Sequence, residues 1–542
     1  MEIPLRDWQK EKLQEAVTVA EKEKVIFLNA PTGSGKTLFS LLLGKQLKKR
    51  ILFLTRTHSE FESVRREAEK LGMKVAYLFG KTSVCPRVSE KVDPEDIDCD
   101  VCELRNKLKD MSGLTPSQII RVSRDASDFC PYFSIRMSLS GADIITSSYL
   151  YFFNPFLRKT IICDRDDCLK PEDLMVIIDE AHNLVSADEW FMRRITKKSV
   201  EGAIEELEKI KNRIRVRYIL VYRFLKNLEE FLNELEITNG CKELHYYPEP
   251  SPSELAGLVV AHETYRETLK GPVKKSHLGS VSRFFNIEGT VYNCGGDLTV
   301  IPSGFFKTIE NSFKQVSISL LMSGTLPEIG LKGYTINVDL KIGKPEYYYC
   351  NDIDSVFRSR SVNAPKYAKI IAEIYKKAPS NVLVFFPSYE FKNEVRKHIG
   401  GVPLLEENER ITHEEVLETM RNGKYVVLLV TGAKESEGVE FREGGKNLFQ
   451  DMVLAGLPYP NVKDDVVKKR IETLSRVSKT DKERVAYELT WIKVSQTIGR
   501  AFRDPNDYAR IYFCDRRFRN YFPDLGLEEK DVKLVTDLVG SG

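Results

Sequence analysis

Apolar residues recur in two alternating rhythms over the first eighty or so positions of this 542-residue chain. Short apolar runs at 25–28, 51–55 and 74–79 are separated by amphipathic stretches at 36–49 and 59–71. Runs of that length, bounded by turn residues, predict buried strands, and the stretches between them predict helices. Strand and helix in alternation build a parallel sheet. The signal lapses between about 82 and 140, resumes as strands at 142–146 and 174–178, and lapses again. From about 200 to 235, Ile204, Leu207, Ile210, Ile214, Leu220, Phe224, Leu228 and Leu232 recur at three- to six-residue steps among Lys and Glu, which predicts a helical block. Its less regular continuation runs to about 310. A strand returns at 318–322, and a second strand–helix series begins near 380, with strands at 382–386, 426–430, 452–455 and 511–513.

The pattern predicts an α/β architecture with two parallel-sheet domains, as expected of a chain too long for one core. The first domain is assembled from 1–81, 141–199 and 311–345. It is interrupted by an insertion over 82–140 and a mainly helical one over 200–310, and the second domain takes 346–542.

Composition adds little to this picture. Apolar residues make up 42% and charged residues 30%, the proportions of a soluble enzyme. No apolar run reaches membrane-span length, and Glu2, Arg6, Asp7 and Lys10 break up any leader-like apolar stretch at the start, so a cytoplasmic location is expected. A net charge of +3 does not by itself predict a nucleic-acid partner. The Lys, Glu and Arg content is compatible with a thermophilic source.

Candidate chemistry begins at Ala30-Pro-Thr-Gly-Ser-Gly-Lys-Thr37, which matches the phosphate-binding pattern G-x-x-x-x-G-K-[ST] with Ala30 in place of the first glycine. A strand before it and a helix after it supply the context that this pattern requires. Backbone N–H groups of Gly33, Ser34 and Gly35 can wrap a phosphate at the helix N-terminus. Lys36 places a charge on the outer phosphates of ATP, and the Thr37 hydroxyl can ligate Mg²⁺. Asp179-Glu180-Ala181-His182 follows the strand at 174–178 directly, which puts two carboxylates beside the phosphate loop. Asp179 is read as the Mg²⁺ partner and Glu180 as the general base for the attacking water. Near the other end of the chain, Gln496-Thr-Ile-Gly-Arg500-Ala-Phe-Arg503 sets two arginines three apart on one predicted helix face, with Gln496 a turn earlier and Gly499 allowing close approach. Arg500 and Arg503 can reach the γ-phosphate from the other domain, and such arginines contribute about 10³–10⁵ to rate. A site split in this way closes with ATP and opens after hydrolysis, as a motor on a polymer requires.

Ten cysteines in a chain of this size argue against a disulfide scaffold. Cys85, Cys99, Cys102 and Cys130 stand in a C-x13-C-x2-C-x27-C pattern that suits zinc or an iron–sulfur cluster, with buried free thiols as the alternative. Cys163 and Cys168 are read as ordinary loop thiols, and Cys241, Cys294, Cys350 and Cys514 as structural.

Taken together, the motifs resemble those of superfamily 2 DEAH-type helicases, and most closely the XPD helicase family. Leu5-Arg6-Asp7-Trp8-Gln9 resembles the adenine-side motif, which implies nucleotide contacts from Arg6 and Gln9, with His182 of the D-E-A-H segment on the same ligand. Leu54-Thr-Arg-Thr-His58 resembles motif Ia, which touches single-stranded DNA, and Ser323-Gly-Thr-Leu326 resembles motif III, which couples the two sites. Val384-Phe-Phe-Pro-Ser388 resembles motif IV, Lys434 to Phe441 motif V, and Gln496 to Arg503 motif VI; Glu440 stands where the family has Asp. The resemblance implies two RecA-like motor domains, an arch in the helical insertion, and a 4Fe-4S cluster on Cys85, Cys99, Cys102 and Cys130, the last in Cys130-Pro-Tyr132 as in the family. It implies an ATP- and Mg²⁺-dependent 5′-to-3′ DNA helicase of nucleotide excision repair acting on single strands and on forked or 5′-overhang duplexes. Repair proteins are possible partners, and the expected state is a monomer without membrane attachment. Arg56, His58, Arg136 and Tyr149, together with Tyr151, Lys434 and Arg442, are the candidate DNA contacts. A non-unwinding ATPase switch and an RNA helicase are the competing functions.

Overall fold

In the computed structural model, residues 4–163, 169–406, 413–432 and 441–536 are described. The strands follow in chain order. The first lobe opens with β1 (Val25–Asn29), β2 (Arg50–Thr55), β3 (Val75–Leu78), β4 (Ile144–Ser148) and β5 (Leu174–Ile178). The arch contributes β6 (Arg193–Ile195), β7 (Cys241–Glu243), β8 (Gly289–Cys294) and β9 (Asp297–Pro302). The chain then returns to the first lobe with β10 (Ile318–Ser323) and β11 (Tyr334–Asn337). The second lobe holds β12 (Lys344–Tyr349), β13 (Asn381–Phe386), β14 (Leu404–Leu405), β15 (Val426–Val430), β16 (Arg442–Glu443), β17 (Lys446–Asn447), β18 (Phe449–Leu454), β19 (Tyr508–Phe513) and β20 (Lys533–Leu534).

Two seven-stranded sheets result, ordered β11-β1-β10-β5-β2-β4-β3 and β14-β15-β13-β18-β19-β12-β20. All their pairings are parallel. Every residue of β5, β10, β13 and β15 is buried, as predominantly apolar strands covered on both faces must be. The predicted strands are present, with β4 shifted two residues onward and β18 and β19 starting three residues early. The pattern gave no sign of β11, an edge strand with three exposed residues, or of β12, whose first half is Lys344-Pro345-Glu346.

The arch combines helices with a four-stranded antiparallel sheet, β6-β9-β8-β7. The sheet begins at Arg193 and ends at Pro302, against the expected 200 and 310, and the following helix Phe305–Lys314 packs on the first lobe through Phe306, Ile309 and Phe313. The helical block breaks at Arg215 (φ +33°) into Lys197–Ile214 and Val216–Glu234. The break resets the helical phase, so Val221 and Leu225 face the core and Leu220 is 39% exposed. β7 and β8 are joined by a Cys241–Cys294 disulfide. Cys163 is also disulfide-bonded, which corrects its reading as a free thiol; Cys168 lies outside the described residues. Cys350 and Cys514 are buried thiols with sulfurs 3.0 Å apart.

The insertion builds a small core from Val84, Met111, Ile119, Phe129 and Ile135, completed by Phe61, Tyr77 and Phe79 of the first lobe. The arch reaches its tip: Asp98 donates to the Pro272 carbonyl (2.8 Å), Lys274 donates to that of Asp96 (2.7 Å), and Arg283 pairs with Glu95 at 3.0 Å. Among the described residues no helix is long and apolar enough to cross a membrane.

The lobes are joined by the helices Asp465–Ser478 and Lys482–Gly499 of the second lobe. Ile471, Leu474, Val485 and Ala486 share one core with Leu184, Ala187 and Phe306 of the first. Beside this apolar contact Arg470 donates to both oxygens of buried Asp188 (2.8–3.1 Å) and to Glu189 (2.7 Å). Removing one member of a buried ion pair strands the other, whereas replacing both with apolar groups does not. Asp188→Ala should therefore lower stability by about 3–5 kcal/mol in urea unfolding, and Asp188→Leu with Arg470→Met should recover most of that loss.

Candidate nucleotide cleft, cysteine cavity and nucleic-acid face

The phosphate loop leaves β1 and enters the helix Lys36–Gln46. Gly33 and Gly35 hold φ of +78° and +89°, where only glycine is at ease. Both are crowded as well. A Cβ on Gly35 would lie 2.8 Å from the Gln9 amide nitrogen, and one on Gly33 would lie 2.8 Å from the Arg503 carbonyl oxygen of the second lobe. Glycine thus permits the close approach of the lobes at Gly33; at Gly499 an added Cβ would meet Thr32 only in ordinary contact. Behind the loop, the Gln9 amide donates to the Gly35 carbonyl (3.0 Å) and the Trp8 indole to that of Ser34 (3.1 Å). Arg6 is exposed at the start of the helix Asp7–Ala20, its backbone N–H donating to Gln9 Oε1 (2.8 Å). Lys36 is buried, its ammonium donating to the carbonyls of Ala30 (3.0 Å) and Pro31 (3.3 Å), and Thr37 follows in the first helical turn. Ser34 Oγ is buried with no hydrogen-bond partner among the described residues. An orphan hydroxyl beside a helix N-terminus fits a phosphate oxygen.

β5 delivers Asp179 and Glu180 at its carboxyl end. His182 follows, with Nδ1 2.9 Å from Ser323 Oγ and 3.2 Å from a Glu180 oxygen. From the second lobe the Gln496 amide nitrogen reaches His182 Nε2. With that nitrogen as donor, a neutral imidazole carries its proton on Nδ1. Burial pushes the Asp179 carboxyl well above the usual carboxylate range, reinforced by Glu180 and Glu60. Burial also opposes ionisation of Glu180, but Lys36, His182 and Arg503 outweigh it and hold that carboxyl at about 2.

The helix carrying Gln496 ends at Gly499, Arg500 caps it, and Arg503 lies in the turn beyond. The two arginines therefore do not share a helix face as expected, because the helix stops short of them. They nonetheless line one cavity of about 130 Å³ together with Thr32, Arg56, Glu60 and Glu180. Of the other sequence-predicted DNA contacts, His58 packs on Phe61 and Phe79 at 3.5 Å from Ser83 Oγ, and burial lowers its pKa. Arg136 lies over the Tyr132 ring (4.7 Å) and donates to its hydroxyl (2.7 Å). Tyr149 is a correction. It is 4% exposed, packs on Trp190, and donates to the Asp179 carbonyl, so it faces the core of the first lobe and not a DNA strand. Tyr151 is buried too, with its hydroxyl on the Phe79 carbonyl, and Arg442 is held by Asp507 in a bidentate pair (2.6 and 3.0 Å). Lys434 and Glu440 lie outside the described residues.

Cys85, Cys99, Cys102 and Cys130 line one small cavity with Ile97, Tyr132 and Phe133, and none is oxidised. Burial, and then the proximity of the other thiols, raises the pKa of Cys85 and Cys130. Among the described residues no three His, Cys, Asp or Glu side chains are placed to hold a single metal ion. Four thiols around one cavity are the donor set that either zinc or an iron–sulfur cluster requires.

A further face went unnoticed in the sequence. The loops after β12, β13 and β18 converge where Gly456 (φ +110°) lies against Ser355 and Pro387; a Cβ there would be 2.5 Å from Ser355 Oγ. Just beyond that point Phe357 (62% exposed), Tyr389 (49%) and Tyr459 (45%) emerge; the cation of Lys463 lies over the Phe357 ring at 4.7 Å, whereas Lys392 beside the Tyr389 ring is buried and paired with Glu406 at 2.9 Å. Aromatic rings with flanking cations suit stacked bases and phosphates. The available signal was an aromatic residue shortly after the predicted strands at 382–386 and 452–455.

Three family models match the chain: DEAD_2 over residues 103–200, the arch domain of the DNA repair helicase XPD over 193–302, and a helicase C-terminal domain over 371–524. The ATP-dependent DNA helicase XPD of Sulfolobus acidocaldarius is 31% identical over 559 aligned positions, covering 96% of this chain and 97% of that protein. The ATP-dependent DNA helicase CHL1 of Kluyveromyces lactis is 25% identical, covering 90% and 72%. Among solved structures, S. tokodaii Xpd4 superposes with a TM-score of 0.81 at 39% identity over 98% of this chain and 100% of that one. A structure described as an XPD helicase gives 0.80 at 28% identity, with the same coverage. Two motor lobes with a shared nucleotide cleft, an arch, and relatives matched over nearly their whole length place this chain in the XPD family of ATP-dependent DNA helicases.

Proposed function

We propose that this member of the family translocates 5′ to 3′ on single-stranded DNA, opens forked and 5′-overhang duplexes, and serves nucleotide excision repair in the cytoplasm, as a monomer carrying a 4Fe-4S cluster. The observation that carries the motor reading is the bond from Gln496 to His182, which ties the second lobe to the catalytic segment of the first. In the proposed cycle Lys36 and the loop N–H groups hold the outer phosphates of ATP. Glu180 accepts the proton of the water that attacks the γ-phosphorus, and the bond to the bridging oxygen breaks to leave ADP. Mg²⁺ held near Thr37 and Asp179 supplies charge neutralisation at the phosphates. Arg500 and Arg503 reach the γ-phosphate from the second lobe, so its loss weakens the hold between the lobes. Arg6 and Gln9 are assigned to the adenine side.

The repair role is supported by the match of residues 193–302 to the arch of a DNA repair helicase; the CHL1 relatives carry a different name and leave the pathway to experiment. The strand is proposed to run past Arg56, His58 and Arg136 in the first lobe and along Phe357, Tyr389 and Tyr459 in the second. Cys85, Cys99, Cys102 and Cys130 would hold the cluster, whose thiolate bonds stiffen the insertion beside that path.

Labelled duplexes with 5′ or 3′ overhangs test the polarity: only the 5′ form should open, and opening of the 3′ form alone would refute it. Lys36→Ala should abolish hydrolysis, and Arg500→Ala should lower kcat by about 10³ while single-strand binding persists. Cys102→Ser should remove visible iron–sulfur absorbance and depress unwinding more than ATPase; equal loss of both would mean that the cluster serves stability alone. Tyr389→Ala and Phe357→Ala should each weaken single-strand binding, measured by fluorescence anisotropy, by about 1–3 kcal/mol. The salt dependence of binding, about −0.7 per phosphate contact, should stay unchanged in both variants.

A further inference from the structure

Glu180 stands in a left-handed backbone turn, φ +47° and ψ +50°. A residue with a side chain keeps that state only where its surroundings hold it. Here the hold comes from three separate stretches of chain. Tyr149, directly after β4 and buried against Trp190, donates its hydroxyl to the Asp179 carbonyl and reaches that of Glu180 at 3.4 Å. Asn183 donates to the Glu180 carbonyl twice, from its backbone N–H (3.0 Å) and its side-chain amide (2.9 Å). The amide oxygen of Asn183 in turn accepts from Arg56 Nη1 at 2.8 Å. Arg56 belongs to the loop after β2, where its own N–H and that of Thr57 close on the Glu60 carboxylate (3.0 and 3.2 Å).

We infer that Tyr149 and Asn183 are positioning residues that hold the Glu180 turn so that its carboxylate faces the attacking water, and that Arg56 ties this hold to the loop expected to touch DNA. The inference rests on the reading of Glu180 as general base. The geometry explains why Tyr149 is buried at the end of a strand where a DNA contact was expected: its hydroxyl is spent on the backbone of the catalytic segment. It also gives the Arg56 loop a route to the carboxylate through a single side chain, Asn183.

Tyr149→Phe removes one hydroxyl and keeps the ring packing. Steady-state hydrolysis should show kcat reduced about 10- to 100-fold, the usual consequence of a misplaced catalytic group, with KM for ATP and binding of a fluorescent ATP analogue within about twofold. Thermal melting should be little changed, since a purely structural role would move the melting point and spare the kcat-to-KM split. Asn183→Ala should show the same split and should also reduce the ratio of DNA-stimulated to basal hydrolysis; it carries the test if the Tyr149 variant fails to fold. Wild-type kcat in Tyr149→Phe, or an equal rise in KM, would overturn the inference. Glu180→Gln is the control for the underlying reading and should lose about 10²–10⁴ in rate while still binding ATP. If it hydrolyses normally, the general-base reading fails whatever Tyr149→Phe does. If it is inactive and Tyr149→Phe is fully active, only the positioning role fails.

Discussion

One imidazole joins the two halves of the cleft. His182 presents Nδ1 to Ser323 and Glu180 in the first lobe and Nε2 to Gln496 in the second. A neutral imidazole has one donor and one acceptor, so both are committed when the lobes are in this arrangement. The Nε2 contact thus ties the second lobe to the same side chain that meets Glu180 in the first. The backbone of Arg503 against Gly33 is the steric counterpart of the same constraint, since a side chain at Gly33 would keep the lobes apart.

The helical pair Asp465–Ser478 and Lys482–Gly499 is the main apolar link between the lobes. It belongs to the second lobe by chain connection, yet it buries Ile471, Leu474, Val485 and Ala486 in the core of the first. Apolar contact is non-directional and tolerates sliding, whereas the bidentate Asp188–Arg470 pair fixes an orientation. Gln496 and Arg500 lie at the far end of the second helix from its start at Lys482, so the helix that Val485 and Ala486 anchor in the first lobe's core also carries the second lobe's cleft residues. Asp464, which caps the first of the two helices, also accepts from the Cys241 N–H of the arch (2.9 Å), so the arch leans on the same element.

What the sequence revealed and what it concealed follow from the range of the forces involved. The phosphate loop, the strand-end carboxylates and the inner strands are local features: a few consecutive residues set the backbone, and the apolar runs at β5, β10, β13 and β15 were visible because both faces are covered. β12 was hidden because its polar first half breaks the apolar run while the strand pairs with β19. Leu220 is exposed although it shares the apolar spacing of the block, because one residue, Arg215, interrupts the helix and shifts its phase. Arg500 and Arg503 line the cleft without the shared helix face that their spacing suggests, since the helix ends before either of them.

By itself the sequence determined the chemistry: a phosphate loop, two acidic residues at a strand end, a pair of arginines and four spaced cysteines, each specified by residue type and near neighbours. Only the tertiary structure decided which side chains those groups meet. Tyr149 turns inward to the Asp179 carbonyl, Arg442 is consumed by Asp507, and Phe357, Tyr389 and Tyr459 come together from three loops far apart in the chain. Burial and hydrogen-bond partnership depend on what packs across a sheet or between lobes, and no short stretch of sequence contains that information.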